Sequence, residues 1–422
     1  MKKTILLPLA GLLLSLTACN NQQDIITIWA WNQNVAIMED AISRYKEIEP
    51  SFNGKVESFS QGDIQTKFFA AKQLANPTSL ADVMLIDAMN LNVYYDQWSD
   101  LFYDFNDDID ETSLELFVPS TIQVSTIDEK LIAMPYGIAP TYVFAYRPLW
   151  NQTWLDDILE NGWTWDDYKI YGQLIKLQNT TKDVYMTAYN LRIDDRLYRT
   201  MTSQKGEWFT DNEGEIVYLA NENSIQAMTW VKDYFSSGVL GHVDTGDYRS
   251  MMLNGQIAAQ IQGFFLGGQL KNVGAHTSGD WVLLPLPSWS EADTSASITG
   301  GTYLYVNNMK PNKSKAADFV AWYTTNVDAL VSGLSIGGIF PAVVDTYSTD
   351  YFAEPDAFFG NQAYLEQVAS SVPLAPAIYA SKYNAWIYDQ YALAQEKILF
   401  DDVGLITTLD GLKNDVQAHI QG

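Results

Sequence analysis

Cysteine is almost missing from this sequence: of 422 residues, only Cys19 carries a thiol. An intrachain disulfide and a cysteine-rich zinc site are both excluded. Histidine is nearly as scarce. His242, His276 and His419 are far apart, no metal-binding spacing joins them, and surface positions are expected for all three. Basic residues are also few. The chain has 25 Lys and Arg against 51 Asp and Glu, a formal net charge of −26. Nucleic acid and anionic lipid both call for clustered basic side chains, so neither is expected as an electrostatic partner. No nucleophile elbow, HExxH, P-loop or Gly-rich dinucleotide fingerprint is present, so no catalytic residue and no cofactor is assigned. Beyond the N-terminus no stretch is apolar enough to span a bilayer. What the chain does have is aromatic side chains: 13 Trp, 25 Tyr and 18 Phe. With 47% hydrophobic and 18% charged residues it reads as folded and globular. Its length exceeds one ordinary core, so two or three domains or lobes are expected.

Residues 1–18 read as a targeting segment. Lys2 and Lys3 precede an apolar run from Ile5 to Leu16 that is too short to cross a membrane. Leu16-Thr17-Ala18-Cys19 resembles the bacterial lipoprotein signal, in which the cysteine is acylated and becomes the first mature residue. That resemblance makes Cys19 a lipidation site and residues 19–23 a polar tether, with export to the outer face of the bacterial cell membrane. Several acyl chains anchor far more securely than one.

Further on, strands and helices alternate. Ile25 to Trp29 is a β-branched run suited to a doubly buried strand, and Val35, Met38, Ala41, Ile42, Tyr45 and Ile48 follow at helical spacing. Leu80 to Ile86 repeats the pattern before Asp87 and Asn90. This predicts an α/β fold with mainly parallel sheets and ligands at the carboxyl ends of the strands. Leu131 to Tyr146, broken by Pro135, Gly137 and Pro140, reads as an extended passage between lobes. Thr164 is a predicted N-cap with Asp167 three residues on. Trp208 to Tyr218 predicts a hairpin around Asp211–Gly214, and 315–331 a single helix capped by Ser314. Asp104, Asn106, Asp108, Asp110, Thr112 and Glu115 have the spacing of an EF-hand loop. Ile109 occupies the place that needs Gly, so calcium is not expected and no metal is assigned.

Taken together the motifs resemble the family 1 extracellular solute-binding proteins, the group that contains maltose-binding protein. The resemblance rests on Ile26 to Trp31, on Ala81-Asp82-Val83 with Asp87, and on Ile132 to Gly137 followed by Tyr142 to Tyr146. Trp163 to Asp167, Asn254 to Ala259 with Gln262 to Phe265, Gly300-Gly301 and Gly337-Gly338 complete it. Leu80-Ala81 departs from the family's usual Gly-x-Pro approach, and Phe264 stands where Trp is common. The resemblance implies two α/β lobes of the periplasmic-binding-protein type, joined by three hinge crossings around a ligand cleft. Lobe one would be 24–138 plus 302–340, and lobe two 139–301 plus 341–422. It also implies a monomer that captures a carbohydrate, expected to be an oligosaccharide, and delivers it to ABC permease subunits served by a separate ATPase.

A sugar offers apolar C–H faces and a rim of hydroxyls, so its site should combine aromatic and polar side chains. Within the resemblance that points to Trp31, Asn32, Asp87, Tyr136, Thr141, Gln262, Phe264, Phe265, Tyr303, Asn384 and Trp386. Asp87 reads equally as a helix cap, and Arg192 more simply as a surface ion pair. Trp29, Trp230, Trp281 and Trp322 fall inside strand or helix patterns and are expected in the core. The alternatives are the same fold holding a non-sugar solute such as a polyamine, a secreted glycoside-active enzyme, or an adhesin or signalling receptor.

Overall fold

A computed structural model describes residues 25–421 other than 208, 211–215, 217–218, 245–247 and 377–380. The signal segment, Cys19, the tether and the tip of the predicted hairpin therefore lie outside the described residues. Flanking that tip, Thr210 pairs antiparallel with Ile216.

The elements that position the site follow in chain order. They begin with β1 (Ile26–Ala30), α1 (Asn34–Ile48), β2 (Gly54–Ser58), α2 (Gln61–Gln73), β3 (Val83–Asp87), α3 (Ala88–Trp98) and β4 (Met134–Tyr146). Then come α4 (Trp165–Gln178), β5 (Thr187–Tyr189), α5 (Arg196–Ser203), β6 (Leu240–His242), β7 (Ala259–Gly263), β8 (Trp281–Leu284) and β9 (Ile298–Val306). The last are α6 (Lys313–Thr325), α7 (Val327–Gly337), β10 (Phe340–Pro341), α8 (Asn384–Phe400) and α9 (Leu405–Gln421).

Strand order in the main sheet is β8-β4-β9-β3-β1-β2, with β7 and β10 also paired to β4. The β1–β2 and β1–β3 pairs are parallel, as the alternating pattern predicts. Every pairing of β4 and β9 is antiparallel instead. The sheet is therefore more mixed than expected, because β4 and β9 run in opposite senses between the two halves of the molecule. At roughly 3.3 Å per residue, the 13 residues of β4 reach about 40 Å, enough for one strand to serve two cores.

Two buried clusters result. One gathers side chains from 26–138 and 303–372, together with Ala188, Met252, Ile257, Phe264, Leu266, Leu270, Trp281 and Leu283. The other gathers side chains from 143–286 and 387–416. In β4 the period-two alternation divides the strand between them: Tyr142 and Phe144 join the first cluster, Val143 and Ala145 the second. Gly137 lies where β4 passes the chain at Ile339. A Cβ there would sit 2.2 Å from Ile339 Cγ2, so this crossing requires glycine.

Local chemistry explains the element ends. Thr164 accepts from Asp167 N–H while the Asp167 carboxylate accepts from Thr164, the reciprocal cap expected for α4. The stretch predicted as one helix over 315–331 is two, α6 and α7. Asn326 leaves helical geometry and its side chain accepts from Ala329 N–H, restarting the helix. Trp29 and Trp281 are buried as expected; Trp230 and Trp322 are half-buried, packed on Trp165 and Tyr45 respectively. In the EF-hand-like stretch, Asp104 accepts from Asn106 N–H, Asp110 caps a short helix from Glu111, and Ile109 is buried. Among the described residues no cluster of three or more His, Cys, Asp or Glu is placed to hold a metal. Among them too, no helix is long and apolar enough to cross a membrane.

Candidate functional site

A cavity of about 290 Å3 lies between the two clusters. From the first side it is lined by Trp31, Asn32, Gln61, Asp87 and the strand residues Thr299 to Thr302, and from the other by Arg196, Arg199, Gln262 and Phe265. A second cavity of about 220 Å3 shares Trp31, Gln61 and Asp87 with the first, so the two adjoin along that wall.

Trp31 and Asn32 are delivered by the turn that ends β1. Asn32 has φ of 50°, a left-handed conformation that Asn tolerates better than most residues. The turn is held from behind. The Trp31 carbonyl accepts from Asn34 Nδ2 at 3.0 Å, and Asn34 Oδ1 accepts from the Tyr136 hydroxyl. Tyr136 is thus a buried support for the Trp31 turn and does not line the cavity.

Asp87 ends β3 and takes both roles that its sequence position offers. Its Oδ1 accepts from the N–H groups of Met89 at 2.9 Å and Asn90 at 3.2 Å, capping α3. Its Oδ2 accepts from Asn90 Nδ2 at 2.8 Å and from Gln61 Nε2. Burial raises the Asp87 carboxyl above the ordinary carboxylate range, and those hydrogen bonds pull against it.

On the opposite wall, Arg196 Nη1 donates to Gln262 Oε1, which also accepts from Gly263 N–H at 2.9 Å. Asp194 stands 3.6 Å from the same guanidinium. Burial opposes the charge on Arg196, and Asp194 with the surrounding tyrosines outweighs it and holds the guanidinium firmly charged. Arg199 is 7% exposed and donates through Nε to Asp195 at 3.0 Å. Its guanidinium carbon lies 4.5 Å from the centre of the Tyr388 ring. Asp195 is fully buried, its Oδ2 has no hydrogen-bond partner among the described residues, and burial pushes its carboxyl up to about 6.

Other expected site residues stand away from the cavity lining. Thr141 is buried behind it and meets the lining residue Thr299 at 2.8 Å. Tyr303 is buried in the first cluster and donates to Thr121 O at 3.3 Å. Phe264 is 3% exposed and packs between Tyr364 and Phe340. Asn384 is buried at the start of α8, accepting from Thr210, and Trp386 stacks on His419 at 3.9 Å. Phe264 instead lines a separate cavity of about 120 Å3 with Gln33, Gln269 and Gly338, which also line the first. Arg192 pairs with Glu396, as expected of a surface ion pair. Arg196 and Arg199 were not anticipated; their signal is a pair of arginines three apart behind Asp194-Asp195, beside the apolar stripe of Leu197, Tyr198 and Met201.

Two further contacts join the two sides. Lys382 pairs with Asp96 of α3 at 2.8 Å, and Arg199 Nη1 lies 3.7 Å from the sulfur of Met89. The structure therefore holds the two sides together around the cavity.

This cavity between two α/β cores joined by shared strands is the architecture of a solute-binding protein. The sequence pattern of the bacterial extracellular solute-binding proteins matches residues 41–359, and the chain belongs to that family. The chain is 23% identical over 358 residues to the lactose-binding protein of Rhizobium radiobacter, covering 84% of this chain and 83% of that one. Its fold is similar to that of the sugar-binding protein MalE from Xanthomonas citri, with a TM-score of 0.76 at 14% identity, over 93% of this chain and 96% of that one. It is also similar to an ABC transporter associated binding protein from B. animalis subsp. lactis solved with β-1,6-galactobiose. That match has a TM-score of 0.72 at 19% identity, over 93% of this chain and 96% of the other.

Proposed function

We propose that this protein captures an extracellular carbohydrate in the cavity between its lobes and delivers it to an ABC permease. The observation that carries this reading is the composition of the lining. Trp31 and Phe265 supply aromatic surface for sugar C–H faces, while Asn32, Asp87, Gln262, Arg196 and Arg199 supply hydrogen-bonding groups for a hydroxyl rim. The volume is at the low end of small-molecule pockets, roughly 300–1,000 Å3. The adjoining cavity extends it along Trp31, which suits a short oligosaccharide. The relatives named for lactose and galactobiose support the same class of ligand.

In this reading lobe one is 24–138 plus 302–340 and lobe two is 139–301 plus 341–422, hinged by three crossings that let the lobes close on the sugar. Tyr136, Thr141, Tyr303 and Phe264 shape the walls from behind. Asn384 and Trp386 stand away from this cavity. The protein acts as a monomer, tethered to the outer face of the cell membrane through lipid on Cys19, and a separate ATPase powers the permease. A polyamine would require several carboxylates, and among the described residues Asp87 alone lines the cavity. A two-carboxylate glycosidase would require a second acid on the same cavity.

Titration calorimetry against mono-, di- and trisaccharides, spermidine and short peptides tests the reading. Binding of a saccharide is expected; tight binding confined to spermidine or a peptide would overturn it. For the anchor, Cys19→Ser should move the protein from the membrane fraction to the medium, and retention at the membrane would remove the lipid from the account.

A further inference from the structure

The charge of the cavity is opposite in balance to the charge of the chain. Acidic residues outnumber basic ones 51 to 25 overall. Among the described residues lining the cavity there are two guanidiniums, Arg196 and Arg199, and one carboxylate, that of Asp87. Asp87 is not poised as their counter-ion: its two oxygens are taken by Met89, Asn90 and Gln61. Asp194 and Asp195 accompany the arginines without lining the cavity, Asp194 at 3.6 Å from Arg196 and Asp195 at 3.0 Å from Arg199.

The helix that carries them breaks a local rule. Arg196 opens α5 and Arg199 follows three residues on, so both occupy the first turns of a helix and share one face. A cation at a helix N-terminus opposes the helix dipole, which favours acids there. Asp194 and Asp195 at the helix start offset that cost, and they leave both guanidiniums on the cavity lining. Both are nevertheless fixed in place: Gln262 and Asp194 hold Arg196, and Asp195 and the Tyr388 ring hold Arg199. A neutral sugar needs hydroxyl partners that both donate and accept. Two fixed, permanently charged donors suit an anionic oxygen pair better, because the planar guanidinium fork matches a carboxylate.

We infer that the natural ligand is an acidic saccharide whose carboxylate lies against Arg196 and Arg199. This rests on the carbohydrate reading above and narrows it to uronate-containing sugars. The test is calorimetry with digalacturonate and diglucuronate beside their neutral counterparts, galactobiose and cellobiose, at low and high salt. At least one uronate should bind about tenfold or more tightly than its neutral counterpart, and added salt should narrow the gap. Arg196→Gln should abolish the preference, with circular dichroism showing that the variant is folded; the wild-type comparison needs no variant at all. Neutral saccharides that bind as well as or better than the uronates would overturn this inference and leave the carbohydrate reading standing. Failure of every saccharide, acidic and neutral, would overturn both. A preference for uronates that survives unchanged in folded Arg196→Gln and Arg199→Gln would also overturn it, because the carboxylate would then lie elsewhere.

Discussion

The two walls of the cavity are built in different ways. The Trp31 wall consists of strand ends: β1 delivers Trp31 and Asn32, β3 delivers Asp87, and buried Asn34 and Tyr136 brace the turn. The Arg196 wall consists of a helix start braced by ion pairs and amides, with Asp194, Asp195 and Gln262 behind the guanidiniums. The first wall offers the Trp31 ring with the carboxylate of Asp87, and the other offers two guanidiniums beside the ring of Phe265. The difference teaches that the first wall should set how well any sugar stacks, and the second which sugar is chosen.

Substitutions can break that division, and the largest effect belongs to neither wall. Phe264→Ala removes a buried ring from between Tyr364 and Phe340, so it should destabilise the fold by roughly 3–5 kcal/mol in a denaturant titration. Affinity measured on the folded fraction should change far less; a large affinity loss with no loss of stability would place Phe264 in the site after all. Next, Arg199→Gln should weaken ligand binding by about 1.5–3 kcal/mol, the scale of a hydrogen bond to a charged group, read by calorimetry. A comparable loss in Tyr136→Phe would blur the two walls, since that change only frees Asn34 Oδ1 behind Trp31.

A smaller effect concerns pH. Burial raises the Asp195 carboxyl to about 6, above the unfolded value near 4. A raised carboxyl binds its proton more tightly in the folded state, so its contribution favours folding increasingly as pH falls from 7 toward 4. Relative to wild type, Asp195→Asn should therefore flatten the pH dependence of Tm across that window, and an unchanged slope would contradict the assignment. Smallest of all, Lys382→Ala removes an ion pair that is about 40% exposed on each side, expected to be worth about 0–1 kcal/mol to the closed arrangement. Small-angle scattering of the ligand-free protein should shift only slightly toward a more open form.

The first wall was largely legible in the sequence. A β-branched strand running into Trp31-Asn32, and a buried strand running into Asp87, announce strand ends by local pattern alone. Gln262 and Phe265 were legible through a motif with fixed spacing. Arg196 and Arg199 were not, because the apolar stripe of Leu197, Tyr198 and Met201 marks a helix but not the cleft that its other residues face. The aromatic residues were hard to sort for a related reason. Tyr303 and Phe264 sit near strand ends just as Trp31 does, and only packing shows that they face Thr121 and Tyr364 rather than the cavity. In the fold, the parallel β1–β3 unit followed from alternation, while the antiparallel pairings of β4 and β9 depend on long-range crossings that local pattern does not encode. The split between α6 and α7 turned on one side chain, Asn326, capping the second helix.

The central claim is that the cavity between Trp31 and Arg199 holds the ligand. A crystal structure with the tightest-binding saccharide tests it most directly. The expected result is a sugar ring against Trp31 or Phe265, with hydroxyls or a carboxylate within hydrogen-bond distance of Asp87, Gln262 and the two arginines. A sugar seated instead on Trp386 or Phe264, with this cavity filled only by water, would contradict the claim.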